Sequence, residues 1–214
     1  MKKIGVVRFL GTNCDQDIFD AIAGIDGLEP VWLWYEESFD ADSIDGVVIP
    51  GGFSYGDYLR CGALASKMPV MDSVEAFSKK GGKILGICNG FQVLCERGLL
   101  PGVLMRNEKI SFIDQWSTLK AVSEDSAWGL KGNYTMPIAH GEGRFYISAD
   151  GFKGLIENDQ IWLKYEDNPN GSVSDIAGVL NKEKNVAGLM PHPERAVAKW
   201  MGGDQGKALL EKFL

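Results

Sequence analysis

Histidine is scarce in this sequence: His140 and His192 are the only two among 214 residues. The four cysteines, Cys14, Cys61, Cys88 and Cys95, form no CxxC pair. Structural zinc sites draw on clustered Cys and His, so no metal is expected. Basic residues are in deficit, with 22 Lys+Arg against 29 Asp+Glu and a net charge of −7. Sequence-independent nucleic-acid binding runs on excess Lys and Arg, which argues against that class of partner. No apolar run nears the roughly 20 residues of a membrane helix. Arg8 interrupts the apolar Ile4-Gly5-Val6-Val7 too early for a secretory signal. A cytoplasmic protein with free thiols is the expectation, because disulfides belong to oxidising compartments. Pro- or Ser-rich linkers, repeats and low-complexity stretches are also missing, so residues 1–214 read as one domain.

The rest is an ordinary globular mixture, 45% hydrophobic and 24% charged. A chain of this length buries roughly 70% of its unfolded surface and needs no covalent staple.

The first half alternates strands and helices. Strand candidates are Lys3 to Phe9, Pro30 to Tyr35, Asp45 to Ile49 and Lys83 to Ile87. Helices are predicted over Asp15 to Ala23, Val70 to Lys80 and Phe91 to Arg97, the last two closed by glycine. Such alternation predicts an α/β fold: an open, mostly parallel twisted sheet with helices on both faces. The second half offers short strands at Leu119 to Val122, Tyr134 to Ile138, Arg144 to Ile147 and Ile161 to Tyr165, with no long helix between them. A hairpin is predicted around Asn181-Lys182-Glu183-Lys184, and a terminal helix over Lys207 to Leu214.

Cys88 carries the first chemical signal. Gly86-Ile87-Cys88-Asn89-Gly90 sits between a predicted strand and a predicted helix, the pattern of a nucleophile elbow with Cys for Ser. Small neighbours allow the sharp turn, and the helix N-terminus behind the sulfur favours negative charge there. The amide of Asn89 is then placed to face an oxyanion. A buried apolar thiol is the alternative, and it is the common fate of a free cysteine.

A nucleophilic Cys needs a base, and the base needs an orienting group. In Met190-Pro191-His192-Pro193-Glu194-Arg195 the two prolines bar a helix and hold the chain extended, so His192 and Glu194 are expected to point the same way. His140, in His140-Gly141-Glu142-Gly143, competes for the role of base. The glycines there favour a loop that touches substrate or partner. Pro50-Gly51-Gly52-Phe53-Ser54-Tyr55-Gly56-Asp57 follows a strand, so Gly52 is a candidate second oxyanion donor, with a plain turn as the alternative. No Gly-Lys-Ser/Thr loop follows it, so phosphate binding is not expected.

Together, Pro50-Gly51-Gly52, Gly86-Ile87-Cys88-Asn89-Gly90-Phe91-Gln92 and His192-Pro193-Glu194 resemble the class I (triad) glutamine amidotransferases. Gly11-Thr12-Asn13-Cys14-Asp15, Gly51 to Arg60, His140 to Gly143, Asn168 to Ser172 and Pro191 to Ala196 narrow the resemblance. They are similar to the family's stand-alone glutaminase subunits of purine biosynthesis. Leu10 departs from the usual Pro at that turn.

The resemblance implies a flavodoxin-like fold and glutamine hydrolysis through a γ-glutamyl thioester. Cys88 would be the nucleophile, His192 the base and Glu194 its orienting group. Gly52 and Asn89 would form the oxyanion hole. Gln92 would bind glutamine, and His140 and Gly141 would line its site. No cofactor would be bound by this chain; ATP and Mg would serve a large synthetase subunit that makes formylglycinamidine ribonucleotide, with a small bridging subunit as further partner. The docking face is expected near Arg106-Asn107 and His140 to Arg144. A related cysteine hydrolase, or a non-catalytic binding module, is the alternative.

Overall fold

The computed structural model describes residues 1–122 and 128–213. In chain order they form β1 (Lys2–Arg8), α1 (Asp15–Ala23), β2 (Leu28–Trp34), β3 (Gly46–Ile49), α2 (Val70–Lys79), β4 (Lys83–Ile87), α3 (Asn89–Arg97), β5 (Val103–Met105), β6 (Ile113–Ala121), β7 (Asn133–His140), β8 (Arg144–Tyr146), α4 (Ala149–Glu157), β9 (Ile161–Tyr165), β10 (Ile176–Leu180), β11 (Val186–Leu189) and α5 (Gln205–Phe213).

Nine strands make one sheet in the order β2-β1-β3-β4-β11-β10-β9-β6-β7; β5 and β8 pair separately. The five strands from β2 to β11 are mutually parallel. The pairs β11–β10, β10–β9, β9–β6 and β6–β7 are antiparallel, so only β10 and β6 run against the rest. The sheet is open and mostly parallel, as the alternation predicted. β1 connects to β2 in one direction and β3 to β4 in the other. Right-handed crossovers therefore carry α1 and α2 to opposite faces. The strand order reverses between β1 and β3, where open α/β sheets form a ligand cleft at their carboxyl ends.

Burial explains the local choices. β3, β10 and β11 are buried along their whole length and read as continuous apolar runs, as strands covered on both sides must. On α2 the buried residues Val70, Met71, Val74 and Phe77 form one helical stripe. Each such side chain contributes about 2 kcal/mol on burial. Among the described residues no helix is long and apolar enough to cross a membrane.

Several predicted elements differ. α4 fills a stretch where no helix was expected. Gly151 and Gly154 weaken its sequence signal, while Ser148 caps it by accepting from the Gly151 amide at 3.2 Å. β6 begins six residues before the expected Leu119, because its exposed start is polar. The three-residue β5 carried no legible pattern. The hairpin at Asn181–Lys184 joins β10 to β11 as predicted. The terminal helix starts at Gln205, two residues early, and Leu214 lies outside the described residues.

Candidate active site

Strand register brings distant residues together. Ile87 at the end of β4 lies opposite Leu189 at the end of β11, and both strands run the same way. Cys88 is the next residue after Ile87; His192 is three beyond Leu189. A separation of 104 positions thus collapses to neighbouring strand ends. On the other flank Ile49 of β3 pairs with Gly86, so Gly51 and Gly52 emerge beside the elbow.

Cys88 has φ 49° and ψ −105°, a conformation that costs a non-glycine residue about 1–3 kcal/mol. Its amide donates to Leu189 O at 2.8 Å, and its Sγ lies 3.9 Å from Ala139 O. α3 starts at Asn89, whose amide, as the first of the helix, has no intrahelical acceptor. The Asn89 side chain accepts from the Ser54 amide at 3.2 Å and donates to Gln92 Oε1 at 2.9 Å; Gln92 Nε2 donates to Glu142 O at 2.6 Å. That chain of bonds ties the loop after β3, the elbow and the loop after β7 into one frame. Gln92 lines the cleft, with both ends of its amide engaged in this frame.

His192 and Glu194 are both buried, and His192 Nδ1 lies 2.6 Å from Glu194 Oε1. The pairing arrives by a different route from the extended chain predicted. Pro193–Arg195 form a short 3-10 turn, with the Ala196 amide bonded to Pro193 O at 3.0 Å. Proline at the first position of the turn suits it, since its missing amide would go unused there. The His192 amide donates to Pro137 O on β7 at 2.9 Å. Burial disfavours a charged ring, but the charges of Glu194 and Cys88 outweigh it and hold His192 well above the usual histidine range. Nε2 has no hydrogen-bond partner among the described residues.

The ring also meets the Cys14 thiol. Cys14 precedes α1, is buried, and its Sγ accepts from Arg195 Nη2 at 3.2 Å. Cys14, His192 and Glu194 present ligand atoms within 4.8 Å of one another, the one grouping among the described residues with metal-like spacing. The His192–Glu194 bond and the Arg195 cation on Cys14 already occupy that donor set. Sequence reasoning missed this thiol's place; the signal was its position just past β1, on the edge that carries Cys88.

The cleft has two lobes that share Gly52, Phe53, Cys88, Phe112 and Ala139. One holds Cys14, His192 and Arg195; the other holds Asp57, Cys61, Gln92 and Glu142. Gly52 has φ +142°, and a side chain there would meet the Asn13 amide at 2.7 Å.

His140 is no second base. Its Nδ1 lies 3.1 Å from Asn107 Oδ1, which also accepts from the Gly143 amide. Its Nε2 faces Asn170 Nδ2 at 3.5 Å. An oxygen on one side and an amide nitrogen on the other fix a neutral ring with the proton on Nδ1. Burial, with the charge of His192 adding to it, pushes His140 down to about 4. Its ring and Gly141 border the cleft. Asn107 and His140 are both buried, which removes their side chains from the expected docking face; Arg106 and Arg144 stay accessible.

Comparison with known proteins follows the same lines. Residues 1–207 match the family described as CobB/CobQ-like glutamine amidotransferase domain. The chain is 50% identical, over 99% of both chains, to phosphoribosylformylglycinamidine synthase subunit PurQ of Prochlorococcus marinus. It is 51% identical to the subunit of the same name from Synechococcus, again over 99% of both. Among solved structures it is similar to a chain of PurLQS from Thermotoga maritima, with TM-score 0.89 and 39% identity over 99% of this chain and 97% of that one.

Proposed function

Because the chain belongs to the CobB/CobQ-like glutamine amidotransferase family, we propose that the cleft at Cys88 hydrolyses L-glutamine to glutamate and ammonia. The protein is the glutaminase subunit of phosphoribosylformylglycinamidine synthase, an enzyme of purine biosynthesis. Its ammonia goes to the synthetase subunit, and a small bridging subunit completes the complex. In this reading ATP and Mg serve the synthetase, and this chain binds neither. The chain works in the cytoplasm, where its four free thiols stay reduced.

One observation carries the catalytic assignment: a buried His192–Glu194 pair at 2.6 Å shares the cleft with a cysteine on a strained strand-to-helix turn. Cys88 Sγ attacks the side-chain amide carbon of glutamine. The amides of Gly52 and Asn89 take the oxyanion, each worth about 3 kcal/mol of barrier. His192 delivers its proton to the leaving ammonia, and a γ-glutamyl thioester remains on Cys88. His192 then takes a proton from water, whose attack releases glutamate and frees the sulfur. Glu194 holds the ring in register throughout.

The test is covalent trapping. In the assembled complex, a thiol-directed glutamine analogue should modify Cys88 alone and stop ammonia release. Cys88→Ala should remove both the label and turnover. Labelling at Cys14 with Cys88 untouched would overturn the assignment.

A further inference from the structure

The proposed mechanism uses one thiol, yet two border the same lobe of the cleft. Cys14 and Cys88 line it together with His192 and Arg195, and both thiols meet the His192 ring. Gly51 stands between them. A methyl group on Gly51 would lie 3.3 Å from Cys14 Sγ and 3.4 Å from Cys88 Cβ, so no more than the width of that methyl separates the second sulfur from the elbow. Glycine, having no side chain, leaves this space open. Cys14 is also tied to the same loop, its amide donating to Gly51 O at 3.3 Å. Cys88 Sγ is lightly held, with Ala139 O at 3.9 Å.

We infer that Cys14 captures Cys88 once hydrogen peroxide has oxidised it, shutting the cleft with a reversible Cys14–Cys88 disulfide. This goes beyond the glutaminase reading and shares with it only the reactivity of Cys88. The Cys88 thiolate attacks one peroxide oxygen: an S–O bond forms, the O–O bond breaks, and the departing hydroxide is protonated to water. The sulfur is oxidised to a sulfenic acid and the peroxide is reduced. The Cys14 thiolate then attacks that sulfur: an S–S bond forms, the S–O bond breaks, and hydroxide leaves as a second water. The protons taken up are those the two thiols gave away. Cys61 borders Cys88 in the other lobe, but it is a poor second nucleophile, because burial and the charges of Asp57 and Glu142 push its thiol up. Cys95 Sγ points to Pro101 O instead, at 3.7 Å. The sulfur of Cys14 accepts from the Arg195 guanidinium at 3.2 Å, the kind of neighbour an attacking thiolate needs.

The experiment treats the assembled complex with a small excess of hydrogen peroxide, alkylates the remaining thiols and maps the peptides with and without dithiothreitol. Wild type should yield a linked Cys14–Cys88 peptide, lose nearly all ammonia release and regain it with dithiothreitol. In Cys14→Ser, measured against its own untreated activity, the loss should be permanent, because an uncaptured sulfenic acid goes on to the sulfinic acid. A wild-type map with Cys14 alkylated and Cys88 carrying a sulfinic acid overturns the inference, as does a map with Cys88 joined to Cys61. Neither outcome depends on how well the variant folds. The linked peptide is read without reference to ammonia release, so a failure of the glutaminase reading is distinguishable from a failure of this one.

Discussion

Gly90 and Ile49 stand closer than any side chain allows: a methyl group on Gly90 would overlap the Ile49 carbonyl oxygen. The first turn of α3 is thereby pressed onto the end of β3, and the helix N-terminus is brought up behind Cys88. Gly90→Ala has no flexible partner to displace, only backbone. It should destabilise the fold by about 3 kcal/mol or more, read as a lower midpoint in denaturant unfolding. A midpoint within error of wild type would mean the contact is looser than described.

Gly51 offers a milder intrusion at the other flank. A methyl there would lie 2.7 Å from His192 Cε1 and 3.3 Å from Cys14 Sγ. These are side-chain atoms, which can shift. Gly51→Ala should fold, yet lose about 100-fold in kcat, since a misplacement near 1 Å costs that much. Steady-state kinetics alongside an unfolding curve separates the two effects.

Glu194→Gln keeps the shape of the pair and removes its charge. Turnover should drop about 10³- to 10⁴-fold. Stability gives an independent check. His192 is raised in the folded state, so its contribution is complete below pH ~6.5 and fades as pH climbs through the folded value. The stability gap between wild type and a His192→Gln variant should therefore be wider at pH 6 than in alkali. A gap that widens toward alkali would contradict the charged pair.

His140 runs the opposite way. Its folded value, about 4, is below the unfolded one, so the unfolded chain takes up the proton first. Stability should be full above pH ~6.5 and decline by about 3 kcal/mol as pH falls to 4. His140→Gln should flatten that part of the unfolding-versus-pH curve.

Much of this was legible in the sequence because the chemistry sits at strand ends. α1, β4 and β9 have the predicted limits, each bounded by clear turn or apolar signals. Cys88, Gly52 and His192 were legible because each follows an apolar strand, and parallel strands share one edge. The route from His192 to Glu194 was misread: an extended chain was expected, and Pro193 begins a turn instead. What stayed hidden depends on contacts across the chain. Cys14 meets Arg195 across 181 positions. Asp57 and Glu142 meet only because the loops after β3 and β7 converge over α3. Local pattern carries no trace of such meetings, whose geometry is set by how far each strand is shifted along its neighbour.

The amide of His192 hangs on Pro137, at the outermost strand of the sheet, whereas Cys88 hangs on Leu189 near the middle. Cys88 Sγ nonetheless lies 3.9 Å from Ala139 O, two residues along that same outer strand, so one edge strand of the sheet borders both the proton carrier and the sulfur.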